Sequence, residues 1–207
     1  PRRKQQNLSN KWESMINISS LYPWFRLDRL NAFVILAILL FTVLTLVYSF
    51  GFMRGKPKLP QYYSYIILTA IASIATVLSN NLILLVVFWG FLGLTLFLLI
   101  NMANNAEAIA KKTFIIIGGS DALMLLGISI IYYISGTFQM DNIRLGLNNG
   151  LIVFAYLCIA IAAFAKAGAM PFHTWIPDCA EHAPVPVVAY LPASLDKLLG
   201  IYLLGFV

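Results

Sequence analysis

Four charged residues stand deep inside apolar stretches of this chain: Asp121, Lys166, Asp196 and Lys197. The chain has 14 Lys and Arg and 8 Asp and Glu, so most of its charge lies elsewhere. An ionised side chain at membrane depth costs a few kcal/mol by insertion scales, roughly 3 for Lys or Asp. Such residues persist mainly in ion pathways, proton relays and counter-ion sites. The chemistry on offer is therefore gain and loss of protons by two amines and two carboxylates. His173 adds an imidazole, a side-chain type suited to relaying protons, close in sequence to Lys166.

The elements that must hold these groups are membrane helices. The chain is 60% hydrophobic and 11% charged, whereas soluble domains are about 25% charged. A span needs about 20 apolar residues. Six such runs can be traced, at 30–53, 62–79, 81–102, 113–135, from 151 onward, and from about 186 to the end. Only Asn80-Asn81 separates the second from the third, which demands a tight hairpin. Residues 1–29 are basic and mixed and read as an extramembrane segment or loop; residues 30–207 read as the transmembrane bundle. Arg54, Lys56, Lys58, Lys111 and Lys112 gather on one side, which the positive-inside rule makes cytoplasmic. The chain starts at Pro1 and stops inside an apolar run, so a fragment of a longer protein is expected.

Two spans carry helix breakers beside their charges. In Lys166-Ala-Gly-Ala-Met-Pro-Phe-His-Thr-Trp-Ile-Pro177, a charge, a glycine and a proline fall within six residues. Pro171 lacks an N–H and clashes with the carbonyl four residues back. Broken backbone at membrane depth survives only where protein or water satisfies it, so a hydrated cavity beside Lys166 is expected. A snorkelling lysine at a simple kink is the alternative. Pro192 repeats the pattern just before Asp196 and Lys197, which lie about 100° apart on a helix and cannot face each other. Asp121 lies in Gly118-Gly-Ser-Asp-Ala-Leu-Met-Leu-Leu-Gly127, where small residues allow close helix approach. It either serves ion handling or bonds a neighbouring helix to fix packing. Lys166 is the obvious partner for Asp121 or Asp196.

Other chemistries lack their residues. There is no Gly-rich phosphate loop, no Cys-x-x-Cys and no His-Glu-x-x-His. Cys158 and Cys179 read as small buried residues. His173 and His182 are nine apart, which does not suit a metal; His173 either hydrogen-bonds the backbone freed at Pro171 or relays protons, and Asp178, Glu181 and His182 read as a solvated loop. No metal or cofactor is expected. The net charge of +6 collects at the ends of apolar runs, so it signals topology, not nucleic acid.

The segment from Lys166 to Asp178, followed by Glu181 and Ala183-Pro-Val-Pro-Val-Val-Ala189, resembles the signature of the antiporter-like subunits. These are the large membrane subunits of respiratory complex I, of membrane-bound hydrogenases and of Mrp-type sodium/proton antiporters. Phe25-Arg-Leu-Asp-Arg-Leu-Asn31 with Tyr48-Ser-Phe-Gly-Phe-Met53 is similar to the family's third helix, and Phe88-Trp-Gly-Phe-Leu-Gly-Leu94 to its fifth. The resemblance runs from Trp24 to the end and implies the third to eighth helices of about fourteen, the first of two inverted five-helix repeats. It implies that Lys166 handles protons and that Pro171 marks the helix break. Two positions depart from the family. The glutamate expected after the fifth-helix tryptophan is Gly90, and the eighth helix reads Tyr190-Leu-Pro-Ala-Ser-Leu-Asp-Lys-Leu-Leu-Gly200, with Pro192 near the usual histidine. The latter is closer to the hydrogenase-like and Mrp-like branches.

The expectation is an all-α polytopic bundle of about six spans, broken near Pro171 and Pro192, that moves protons or sodium within a redox-driven membrane complex. Lys166 is the central acceptor, Lys197 passes protons along the midplane with His173 and water, and Asp121 or Asp196 replaces the missing glutamate. Its partners are other membrane subunits and the lipid bilayer, its expected location the inner membrane of a prokaryotic cell. The alternatives are a standalone Mrp-type antiporter component and a non-pumping scaffold.

Overall fold

A computed structural model describes residues 24–56, 58–146 and 149–206. The segment before Trp24, most of the expected extramembrane part, lies outside them. Among the described residues, eight α-helices follow in chain order: α1 Arg29–Phe52, α2 Leu59–Leu78, α3 Leu82–Ile100, α4 Glu107–Ser135, α5 Gly150–Ala167, α6 Trp175–His182, α7 Val185–Tyr190 and α8 Asp196–Phe206. A π-helical turn, Leu191–Leu195, joins α7 to α8 into one span. Six spans among the described residues are long and apolar enough to cross a membrane: α1 to α5, and Val185–Gly205.

The ends of these helices follow from local chemistry. Pro60 fits the first turn of α2, where an N–H is dispensable, so α2 starts three residues before the apolar run. The Asn81 side chain accepts from the N–H of Ile83 at 2.9 Å and caps α3. Asn149 caps α5 in the same way, through Leu151 N–H at 2.9 Å. The Asn80-Asn81 hairpin is as tight as expected. It is pinned by Asn80 N–H to the Trp24 carbonyl and Leu82 N–H to the Phe138 carbonyl.

Two expectations need correction. The fourth helix begins at Glu107, not Thr113, because Glu107 pairs with Lys111 one turn on at 2.5 Å and carries the helix beyond its apolar run. Asp178, Glu181 and His182 are not loop residues; they belong to α6, an amphipathic helix that buries Trp175 and Cys179 on one face. Lys112 on α4 holds Asp178 at 2.5 Å and ties the exposed side of α6 down.

The helices pack as neighbours along the chain, α1 on α2, α2 on α3, α3 on α4 and α4 on α5, and α8 closes back on α5. Small residues set the closest crossings. A Cβ on Gly127 of α4 would lie 2.7 Å from the Ala155 carbonyl oxygen of α5, and one on Gly200 of α8 would lie 2.7 Å from that of Ala163. Much of α1 presents Leu, Phe and Val outward, as a lipid-facing or partner-facing helix does.

Candidate functional site

Helix α5 ends at Gly168, whose φ of +67° forms a left-handed cap. The break is where the sequence places it, but the residue that ends the helix is this glycine, three positions before Pro171. Ending a helix inside a bundle leaves carbonyls to satisfy. The indole N–H of Trp175 donates to the Ala165 carbonyl at 3.1 Å, and Ala169 N–H donates to that of Phe164 at 2.9 Å. Thus α6 plugs the broken end of α5, with Ile176 packed where a side chain at residue 168 would stand.

Lys166 occupies the last turn of α5 and is 1% exposed. It does not snorkel. Its Nζ donates to the main-chain carbonyl of Trp89 on α3 at 2.8 Å and lies 4.6 Å from the centre of the Trp89 ring. Trp89 is itself buried, and its indole N–H donates to Asp121 Oδ1 on α4 at 2.9 Å. Asp121 is partly buried beside Gly93 of α3; a Cβ there would stand 3.9 Å from Oδ2. From the other side, the Gly200 crossing brings α8 against α5 and places Asp196, one turn earlier, within the bundle. Asp196 is 0% exposed, and neither carboxylate oxygen makes a hydrogen bond among the described residues. The charges acting on Lys166 are those of Asp121 and Asp196. Among the described residues neither forms a direct ion pair with it.

The energies acting on the buried amine are close to balance. Desolvating an ammonium costs several kcal/mol. A hydrogen bond from a charged donor returns about 1.5–3 kcal/mol, and a desolvated cation–π contact about 2. These terms nearly cancel. A carboxylate charge about 6 Å away contributes about 3 kcal/mol at an effective dielectric of 20.

The sequence-expected residues divide into two groups. Lys166, Asp121 and Asp196 come together from α5, α4 and α8. Lys197 is exposed on the outer side of α8, turned away from Asp196, and His173 is exposed in the turn between α5 and α6. The His173 ring makes no hydrogen bond to the freed backbone among the described residues; Trp175 does that work. Gly90, at the position of the family's glutamate, is exposed with open space around it. Sequence reasoning missed Trp89, because its role is spatial: it stands between an amine 77 residues away and a carboxylate 32 residues away. The only sequence signal was a tryptophan, the one side chain with a ring N–H, among the Leu, Ile, Val and Phe of an apolar span.

At the end of the bundle near the Asn80-Asn81 hairpin, Arg26 pairs with Asp28 at 2.6 Å and with Asp141, which also accepts from Asn80 Nδ2 at 2.7 Å. Burial would raise the Asp141 carboxyl. The hydrogen bonds from Arg26 and Asn80, with the charges of Arg26 and Arg144, outweigh it and hold the carboxyl below its ordinary 3.8.

Comparison with known proteins shows what the chain is similar to. The family described as NADH:quinone oxidoreductase/Mrp antiporter, TM, matches residues 79–207. A Na(+)/H(+) antiporter subunit from Alkalihalophilus pseudofirmus is 34% identical over 186 residues, covering 86% of this chain and 23% of that protein. The chloroplastic NAD(P)H-quinone oxidoreductase subunit 5 of Anthoceros angustus is 30% identical, covering 87% of this chain and 26% of that protein. The structure of the Mrp complex from Dietzia sp. DQ12-45-1b contains a chain that superposes with a TM-score of 0.81 at 27% identity, over 86% of this chain and 20% of that one. This chain thus spans about a quarter of the length of these curated relatives.

Proposed function

The chain belongs to the NADH:quinone oxidoreductase/Mrp antiporter transmembrane family, and from that premise we propose that it is part of a proton-translocating membrane subunit driven by redox chemistry in partner subunits. Residues 30–207 form its first antiporter-like repeat. The observation that carries the reading is the lysine amine buried at the broken end of a membrane helix, between two carboxylates that do not touch it.

In this reading Lys166 takes up a proton and releases it as Asp121 or Asp196 approaches or withdraws. Asp121, held on α4 against α3, takes over from the glutamate that Gly90 lacks. Lys197, on the outward face of α8, accepts the proton next and hands it along the midplane to neighbouring parts of the complex. His173, in an exposed turn just beyond the α5 break, exchanges protons with water. The partners are further membrane subunits of the quinone-reductase or hydrogenase type.

The test uses membrane vesicles that contain the full-length protein in its complex. Electron donor is added and lumen pH is followed with a fluorescent dye. Wild-type vesicles acidify, and Lys166→Met lowers the rate at least tenfold while membrane insertion and complex assembly remain. Equal acidification by the variant refutes the assignment. Ion exchange driven by an imposed sodium gradient, with no response to electron donor, replaces the redox-driven complex with an Mrp-type antiporter.

A further inference from the structure

One residue contacts both Lys166 and Asp121. The Trp89 carbonyl accepts from Lys166 Nζ at 2.8 Å, its ring face lies 4.6 Å from the same nitrogen, and its indole N–H donates to Asp121 Oδ1 at 2.9 Å. The indole bond is the single hydrogen bond that the Asp121 side chain makes among the described residues. Trp89 is 1% exposed, its contact with Lys166 is buried, and its contact with Asp121 is partly buried. The charged groups facing Lys166 are Asp121 from α4 and Asp196 from α8; α3 contributes no charge of its own at the site, since its residues from Leu82 to Ile100 include no ionisable group.

We propose that Trp89 is the positioning residue of the proton-transfer site: its indole N–H holds the Asp121 carboxylate off the amine, while its ring and carbonyl hold the amine in place. The device has two arrangements. With the carboxylate on the indole, the amine meets only a carbonyl and a ring face. With that bond broken, the carboxylate is free to turn to the amine. Helix α3 thereby joins the switch without a charged residue. This rests on the proton-carrier reading of Lys166 given above.

The experiment removes the N–H and nothing else. Benzothienylalanine, which replaces the indole N–H by sulfur in a ring of the same shape, is incorporated at residue 89 of the full-length protein in its complex. Proton transport is measured in vesicles across pH, with Lys166→Met alongside. Loss of a hydrogen bond to a charged group predicts a fall of about tenfold in rate and a pH–rate profile displaced by about half a unit or more. In protein embedded in lipid nanodiscs, the 15N-indole resonance of Trp89, assigned by its loss in Trp89→Phe, moves in both Asp121→Asn and Lys166→Met. A wild-type rate with an unmoved profile overturns the proposal, as does an indole resonance that ignores Asp121→Asn. A lowered rate with an unmoved profile also overturns it, since packing alone does that. Normal transport by Lys166→Met would instead sink the proton-carrier reading, so the two failures are told apart.

Discussion

The coupling between Lys166 and Asp196 gives a measurable energy although the two groups do not touch. Asp196 is fully buried with both oxygens unbonded among the described residues, and Lys166 is 1% exposed with one carbonyl partner. Replacing Lys166 with Met keeps the volume roughly constant but leaves Asp196 and Asp121 without the cation that balances them. Two unit charges about 6 Å apart attract by about 3 kcal/mol at an effective dielectric of 20; on that scale the two carboxylates together lose about 6 kcal/mol, and no longer burying the ammonium returns about half of it. Neutralising Asp196 as Asn removes the need for that balance. The expectation for the full-length protein is that Lys166→Met costs about 3 kcal/mol, that Asp196→Asn alone is close to neutral, and that adding Asp196→Asn to Lys166→Met restores about 2. The assay is denaturant unfolding in detergent micelles for wild type, both single variants and the double variant. Independent sites add within about 0.5 kcal/mol. Additivity within that margin would show that the two groups do not sense each other and would refute the electrostatic argument.

Three further outcomes are expected. Gly127→Ala places a Cβ 2.7 Å from the Ala155 carbonyl, so α4 and α5 must separate; a loss of about 1–3 kcal/mol in the same unfolding assay is the expected cost. Asp141 is held below its ordinary 3.8 in the folded protein, so it stabilises the fold above that ordinary value, and the contribution is lost as pH falls through its lowered one. Melting temperature should therefore drop at strongly acid pH in wild type, and Asp141→Asn should flatten that drop. Burial, with the charge of Asp196 adding, pushes the Cys179 thiol up to about 12. A maleimide at mildly alkaline pH should leave Cys179 unmodified in folded protein and label it after denaturation, read by mass spectrometry.

Much of the bundle was legible because lipid allows few solutions. A stretch of about 20 apolar residues must be a helix with its backbone bonds closed internally, and the runs ending at Met53, Ser79, Met102 and Ser135 had no other reading. Asn80-Asn81 between two such runs could only be a hairpin. The Lys-Gly-Pro cluster told of a broken helix, since each residue type there violates the interior of an ordinary span. What stayed hidden depended on contacts across the bundle. The eight residues of α6 carry too little apolar surface to signal a helix; only packing of Trp175 against the end of α5 defines it. The start of α4 mixes Glu107, Lys111 and Lys112 with Ala108, Ile109 and Ala110, too charged for a hydropathy window, and is fixed by the Glu107–Lys111 pair and the burial of Ala110. The adjacency of Asp196 and Lys197 showed that they point apart, but the Gly200 crossing decides that the acid faces inward. The link through Trp89 joins three helices and leaves no local trace.

The central claim is that the amine at residue 166 works by releasing its proton, and not merely by being positive. Arginine keeps the charge but does not deprotonate in proteins, so Lys166→Arg separates the two. Redox-driven acidification of vesicles carrying this variant in the assembled complex should fall at least tenfold, to the level of Lys166→Met. Acidification at the wild-type rate would mean that a fixed positive charge suffices, and would contradict the account.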